Sequence, residues 1–455
     1  MVWLDRSDRP EPSAALAGQI DVDLVIVGGG YTGLWAALIA AERDPSRRIV
    51  VIEADRVGHA ASGRNGGFCS SSLTHGLANG LERFESEIDT LQRLGHANLD
   101  EIESAIRRHG IDCDFERSGN LEVAVAPWLV EPLRGQYELL ARHGEEVTWL
   151  DAAATRAQLD SPTYEAAIWR HSGEAMVDPA RLAWGLAAAC RSLGVEIYES
   201  TPMTSLDRSG ASVIVTTPRG SITCGAVVLG TGAFDPVVPS MRRRLAAVYD
   251  HALATEPLSA EQLSSIGWDQ RQGVSDTTNL FHYYRRFTDE HGGVRILWGG
   301  YDAVYHYGNK VHPSLEQNDR THALLAQQFF DTFPQLEGLG FSHRWGGLID
   351  TNTRFSVGFG TAFDGQVAYA AGYTGLGVGA TRFGAEVCLD LLDRPDSELC
   401  ELDFVRKRPL PFPPEPIRWL GITITRKEYE RADRNHGRQG LWLRTLSRLG
   451  LGFDS

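Results

Sequence analysis

Residues 21–55, DVDLVIVGGGYTGLWAALIAAERDPSRRIVVIEAD, decide the fold. VDLVIV is a continuous apolar run, as a parallel strand buried on both faces requires. Gly28-x-Gly30-x-x-Gly33 follows it directly and opens a helix, GLWAALIAAE, rich in small residues. A second apolar strand ends at Glu53, 20 residues after Gly33. Glycines at these positions allow a tight turn, close approach of a pyrophosphate and close helix–sheet packing. The helix N-terminus offers unpaired N–H groups to phosphates, and the acid accepts from ribose hydroxyls. Gly28, Gly30, Tyr31, Thr32, Gly33, Glu53 and Ala54 are therefore candidate dinucleotide contacts. Glu53 favours an unphosphorylated ribose, hence FAD or NAD over NADP.

A few residues on, AASGRNGGFCSSS (60–72) has the composition of a loop, and a plain NAD domain has no use for its Arg-Asn pair flanked by glycines. The nucleotide sheet is also slow to resume. About 120 residues pass before the strands VEIYES and VVLGTGA, and a last strand–glycine turn–helix follows near 367–391. Glycine loops at both ends of an interrupted sheet suit a long ligand lying across the domain, and FAD is such a ligand. Between these pieces the spacing predicts helices over 81–106, with a break at Gly95, and over 130–144, 177–194 and 316–333, and a strand-rich aromatic segment at 246–301.

The bulk properties narrow the classes. The chain has 455 residues, 44 Lys+Arg and 59 Asp+Glu, a formal charge of −15. Nucleic acid is excluded as the main partner, because phosphate binding needs clustered cations. Residues 405–455 are the exception, with 11 Lys/Arg against 5 Asp/Glu. The six cysteines form no CxxC pair, which argues for reduced thiols and no metal site. With no signal-peptide pattern and no apolar run of about 18 residues, a cytoplasmic location is expected.

GGGYTGLWAA, Glu53, SGRNGG, VDPARLAWGL, VVLGTGA, ATEPL, HRWGGLID and GYTGLGVGATRFGAE occur in this order over about residues 20–400. Together they resemble the D-amino-acid-oxidase-like (DAO) family of FAD oxidoreductases, in the form carried by its γ-glutamylputrescine oxidase and aminophosphonate oxidoreductase branches. The resemblance implies an α/β fold: a Rossmann-like FAD-binding domain of glutathione-reductase type, interleaved with an α+β substrate domain carrying a mixed or antiparallel sheet. The expected division is an N-terminal arm at 1–20, an FAD-binding domain at 21–85, 172–240 and 341–404, a substrate domain at 86–171 and 241–340, and a basic extension at 405–455.

By the same resemblance, Ser62, Gly63 and Arg64 reach the pyrophosphate side, and Asn65, Gly66 and Gly67 approach the flavin ring. Only glycine lets backbone N–H groups come so close to a flat ring, and Arg64 can neutralise phosphate or reduced flavin. Met203 is placed by the adenine, Thr231 and Gly232 at the end of VVLGTGA, and Gly375, Leu376, Gly377 and Val378 at the pyrimidine end. Leu376 stands where many relatives carry His. Relatives with tethered flavin use a C-terminal cysteine or a histidine in this loop. The histidine position falls on Arg64 and HRWGG has no cysteine, so non-covalent FAD is expected despite Cys69.

Flavin amine oxidation takes a hydride equivalent from the carbon beside nitrogen and asks for an aromatic pocket more than for acid–base groups. Residues 281–307 hold eight Phe/Trp/Tyr in 27 residues. Such density on strands usually marks sheet core, but it also suits a wall that holds an ammonium by cation–π attraction. His251, Tyr284 and Trp345 are the catalytic candidates, and Tyr283, Trp298 and Asp350 the substrate candidates. Gly379 stands where relatives acting on N-methyl α-amino acids often carry a carboxylate-binding lysine, which favours an amine whose charge lies farther from the reacting carbon. The expected partners are a small amine and an O2 or quinone acceptor, with a homo-oligomer open. A D- or N-methyl amino acid oxidase, with Arg382, Arg285 or Arg286 as carboxylate clamp, is the second reading, and a non-catalytic flavin subunit the third. The basic tail is expected to fold back as helical turns with its Trp side chains buried. Membrane docking through its Trp and Arg residues is the less favoured alternative.

Overall fold

The apolar run ahead of Gly28 becomes the strand Gly18–Val27 at the heart of a largely parallel sheet. A computed structural model describes residues 1–234 and 238–448; residues 235–237, in the segment 172–240, and 449–455, the end of the basic extension, lie outside the described residues. The first sheet runs Gly358–Ala362, Val367–Ala371, Gly220–Leu229, Gly18–Val27, Ile49–Ile52, Glu196–Tyr198. Its last five strands are mutually parallel, with Val27 beside Leu229 and Ile52. Their C-terminal ends therefore open on one edge, the place where sheets of this kind take ligands. The interruption read from the sequence is real: strands from three distant parts of the chain complete this sheet.

The helix Tyr31–Arg43 buries every residue from Tyr31 to Ala41. Its alanines let the helices Pro179–Ser192 and Gly377–Asp393 pack closely on it. The helix Ile88–Arg108 runs unbroken through Gly95. A Cβ at Gly95 would run into the Ser71 carbonyl; the glycine permits a close approach and marks no break.

The second sheet has nine strands and is antiparallel apart from one parallel pair, Gly273–Asp276 with Asn120–Ala124. At its centre Ala246–Thr255 pairs along its whole length with Phe341–Thr351 and on its other side with Val294–Gly300, which pairs in turn with His282–Thr288. Phe341–Thr351 thus lies in the second sheet, and the segment 341–404 that the sequence division assigns to FAD crosses to the first sheet only after Thr351.

The N-terminal arm is docked. Val2, Trp3 and Leu16 are buried, and the Trp3 ring packs on Phe287 at 4.5 Å. Burying a side chain of this size stabilises by about 2–3 kcal/mol, which one tryptophan among prolines does not announce in the sequence. The basic tail does fold back, as the helices Ile417–Arg434 and Leu441–Arg448. Asp433 accepts from the Asn279 and Leu280 backbone N–H groups, and Arg426 pairs with Asp302. Its tryptophans correct the expectation: Trp419 is half-buried beside Tyr307 and Trp442 is exposed. Polar contacts from Asp433 and Arg426 anchor the tail, so burial of those rings is not needed to hold it. No helix among the described residues is long and apolar enough to cross a membrane.

Candidate active site

The open edge of the first sheet is built for a dinucleotide. Gly28 has φ of 112°, and a Cβ there would lie 2.6 Å from the Gly230 carbonyl oxygen. A Cβ at Gly33 would run into the Gly28 carbonyl. Gly30 is the N-cap of the Tyr31–Arg43 helix. Ser62 Oγ accepts the Tyr31 N–H at 2.9 Å, so the loop caps the helix. The side chains of Tyr31 and Thr32 are engaged elsewhere, the first donating to the Pro179 carbonyl at 2.8 Å and the second to the Tyr373 hydroxyl at 3.0 Å.

Glu53 follows the strand Ile49–Ile52 at the same edge. Its carboxylate accepts the Gly29 N–H at 2.7 Å and the Asp55 N–H at 2.9 Å, and burial raises its pKa. Two acceptor positions remain on its oxygens, which a pair of ribose hydroxyls complements. Ala54 beside it is exposed. The Glu53 carbonyl accepts from Thr201, and Met203 packs half-buried close by. These features fit FAD: a glycine turn that opens a helix N-terminus and a half-buried acid beside it.

At the other end, Asp350 serves the backbone. Its carboxylate accepts the Gly372 N–H at 2.6 Å and the Tyr373 N–H at 3.3 Å, and its carbonyl accepts the Thr374 N–H at 2.9 Å. Burial raises its pKa against the pull of those N–H groups. Asp350 thereby fixes the turn that runs through Gly375, with φ of 91°, to Leu376, Gly377 and Val378, where the Gly377–Asp393 helix starts without a side-chain cap. Thr231 and Gly232 lie beside it, a Cβ at Gly232 coming within 3.7 Å of the Asp350 carboxylate. Asp350 keeps part of its surface accessible beside that turn.

The loop 60–67 is held from both sides. Asn65 folds back on it, donating to the Ala61 and Ser62 carbonyls at 3.0 and 3.1 Å and accepting from the Gly67 N–H at 2.8 Å. Trp3 Nε1 donates to the Asn65 carbonyl at 3.0 Å, and Trp345 Nε1 to the Arg64 carbonyl at 2.9 Å. A Cβ at Gly63 would run into the Gly58 carbonyl. Gly67 has φ of 78°, and a Cβ there would run into the Val177 carbonyl and the Arg285 guanidinium. The Arg64 guanidinium pairs with Glu316 at 2.5 Å and donates to the His59 carbonyl at 2.7 Å. Its charge has a protein partner before any cofactor arrives.

Strand alternation sorts the substrate candidates. Tyr283 shares a face with Arg285 and Phe287 and lies against the loop, where a Cβ at Gly66 would come 2.8 Å from its ring. Its neighbour Tyr284 points the other way. It hydrogen-bonds Tyr164 and packs on Trp298 at 4.6 Å, in an aromatic core with Phe329 and Phe333. On Ala246–Thr255, Ala252 is opposite Trp345 and Asp250 is opposite Gly347, so Asp250 shares the Trp345 face. His251 faces away, 5.2 Å from His322; burial, then His322, lower its pKa to about 4, which leaves it neutral. Tyr283 and Trp345 are thus brought to the loop, while Tyr284, Trp298 and His251 stand behind the sheet.

Asp250 is the residue the sequence reading passed over. The Tyr283 hydroxyl donates to its Oδ2 at 2.6 Å. Gly347 opposite leaves open space, since a Cβ there would meet nothing nearer than the Arg64 carbonyl at 3.9 Å. Burial raises the Asp250 pKa to about 6. Asp250, Tyr283 and Phe68 all keep part of their surface accessible. The available signal was a lone charge inside the apolar strand AAVYDHALAT, because an interior charge needs a reason.

The arginines considered as carboxylate clamps are engaged elsewhere. Arg285 is buried and donates to the Val177 and Gly67 carbonyls. Arg286 donates to the Trp268 and Asp269 carbonyls, and Arg382 pairs with Glu386 and Glu101. Cys69 is fully buried and its thiol pKa is raised by that burial. No group of three or more potential metal ligands occurs among the described residues.

Comparison with known proteins gives a consistent result. The family described as "FAD dependent oxidoreductase" (DAO) matches residues 23–391. The chain is 32% identical to gamma-glutamylputrescine oxidoreductase of Escherichia coli (strain K12) over 416 residues, 90% of this chain and 91% of that one. It is 25% identical to sarcosine oxidase subunit beta of Rhodobacter capsulatus over 379 residues, 80% and 81% of the two chains. The crystal structure of glycine oxidase from Geobacillus kaustophilus superposes with a TM-score of 0.68 at 18% identity, covering 86% of this chain and 99% of that one.

Proposed function

Because the chain belongs to the DAO family of FAD-dependent oxidoreductases, we propose that it oxidises the C–N bond of a primary or secondary amine to an imine. Water then splits the imine to an aldehyde and ammonia or a smaller amine. Bound FAD supplies the acceptor for the two electrons and the hydrogen leaving the carbon beside nitrogen. Turnover ends with their delivery to O2, giving H2O2, or to another acceptor.

The chain's own residues account for the rest. Gly28, Gly30, Gly33 and Glu53 would hold the nucleotide, and the Asp350 clasp and the loop 62–67 would fix the flavin end. The second sheet, through Tyr283, Trp345 and Phe68, would keep water from the reacting carbon. The observation that favours an amine over an α-amino acid is the commitment of Arg285, Arg286 and Arg382 to other partners, while a carboxylate, Asp250, keeps part of its surface accessible.

Product trapping tests the reading. Incubation of the FAD-loaded protein with ω-substituted primary alkylamines and an artificial electron acceptor should yield aldehyde, captured as its hydrazone, in one-to-one ratio with ammonia. Oxidation of α-amino acids with no aldehyde from any amine would favour the second reading.

A further inference from the structure

Where the second sheet meets the loop 62–67 stands a partly accessible carboxylate, Asp250, whose partner Tyr283 lies against Gly66. Asp250 lies on the Trp345 face of Ala246–Thr255, and the residue opposite is glycine, which sets no side chain against it. Tyr283 comes from two strands away. It reaches Asp250 by lying across Val294–Gly300 at Gly299, where a Cβ would stand 2.7 Å from the tyrosine oxygen. Two glycines thus clear space, one for the tyrosine and one in front of the acid. Phe68, edge-on to Tyr283 at 5.7 Å, completes an aromatic flank.

A carboxylate in such a place asks for a cation. Its neighbours do not supply enough of one. Tyr283 gives a neutral hydroxyl, and His282 lies behind the sheet, pairing through Nδ1 with Asp276 at 2.6 Å. Arg64, on the loop, is paired with Glu316.

We propose that Asp250, oriented by the Tyr283 hydroxyl, is the binding site for the substrate nitrogen and that it selects alkylammonium groups that carry no carboxylate on the same carbon. The ammonium donates to the carboxylate in a charge-assisted hydrogen bond, with Tyr283 and Phe68 offering their rings to the cation. One proton then passes from the ammonium nitrogen to an Asp250 oxygen. This leaves a neutral amine and a carboxylic acid, with no electrons moved, and the neutral amine is the form that can be oxidised. The raised pKa of Asp250 suits it to accept that proton. An α-carboxylate on the substrate would be held against Asp250 and repelled, which gives the site its selectivity. Asp250 deepens the amine-oxidation reading above and rests on it for the identity of the ligand.

The test uses tert-butylamine, whose nitrogen-bearing carbon has no hydrogen, so that it can bind but cannot be oxidised, with pivalate as its carboxylate counterpart. Binding is read from the perturbation of the flavin spectrum of the FAD-loaded protein. Wild type should bind tert-butylammonium and reject pivalate. Asp250→Asn, of the same shape and still able to accept from Tyr283, should keep its FAD content and lose about 10-fold or more in tert-butylammonium affinity. Asp250→Glu should recover part of that loss. Equal ammonium binding by wild type and Asp250→Asn overturns the assignment, as does a loss confined to FAD affinity. The two readings fail separately. If the ammonium binds through Asp250 and no amine reduces the flavin, the amine-oxidase reading falls and the cation site stands. If amines reduce the flavin equally well in Asp250→Asn, the cation site falls and the oxidase reading stands.

Discussion

The Tyr283 hydroxyl reaches across a neighbouring strand to Asp250 at 2.6 Å, and the strand lets it pass because residue 299 is glycine. The pair couples the second sheet to the loop under Gly66, which the Tyr283 ring covers from above. An isolated buried carboxylate would be costly in the folded protein, and this one is held with a single hydroxyl donor as its side-chain partner. Its cost to the fold can be measured.

In the folded chain the Asp250 pKa is about 6, above the value near 4 of an unfolded aspartate. Folding therefore takes up a proton between those limits, and the charged carboxylate is a penalty that is complete above the upper one. Asp250→Asn removes it. The variant should be more stable than wild type by about 2–3 kcal/mol at pH 8, the difference vanishing below about pH 4. Denaturant melts at fixed FAD concentration check this. A constant difference across the range would mean that Asp250 is solvated like a surface carboxylate.

Gly67→Ala should fold less stably by about 1–3 kcal/mol and lose FAD, because the left-handed backbone and the Val177 carbonyl leave no room for a methyl group. Gly292 shares the positive φ, at 84°, but a methyl group added there would have nothing within 4 Å. Gly292→Ala should therefore show only the backbone cost and keep its FAD. Equal FAD content in the two variants would detach the loop from the cofactor.

Glu53→Gln should weaken FAD binding by about 1–2 kcal/mol, the scale of losing a charge-assisted hydrogen bond. Equilibrium dialysis of FAD against the apoprotein gives the number, and unchanged affinity would remove Glu53 from the site. Acid precipitation should release the flavin into the supernatant; flavin that stays with the polypeptide would reveal a covalent link.

Much of the cofactor half was legible because glycine constraints are local. Gly28, Gly33, Glu53 and the turn at Gly375 lie next to the strands whose ends they occupy, and short-range pattern is enough to find them. The substrate half was read in part. Tyr283 and Trp345 were named and lie at the loop, whereas His251 was singled out and its neighbour Asp250, which holds the Tyr283 hydroxyl, was passed over. In a strand with one apolar and one aromatic face, composition does not say which face meets the other domain; only the pairing of Asp250 with Gly347 and of Tyr283 with Gly299 does. The docked arm was illegible for a different reason. Trp3 finds its partners at Asn65 and Phe287, contacts too distant in sequence for any periodicity to report.

That arm carries its own prediction. Trp3→Ala empties a buried aromatic site and removes the hydrogen bond to the Asn65 carbonyl. It should cost about 3–5 kcal/mol of stability and speed FAD loss, seen as a lower melting temperature and faster flavin release on dilution. A variant that melts earlier but holds FAD as wild type does would confine the arm to packing.

The central claim is tested most directly by anaerobic titration of the FAD-loaded wild-type protein with a primary alkylamine and, separately, with the α-amino acid of the same chain length. The amine should bleach the visible flavin band completely at one equivalent per flavin, with the amino acid leaving it untouched. Bleaching by the amino acid alone, or by neither compound across a series of chain lengths, would contradict the account.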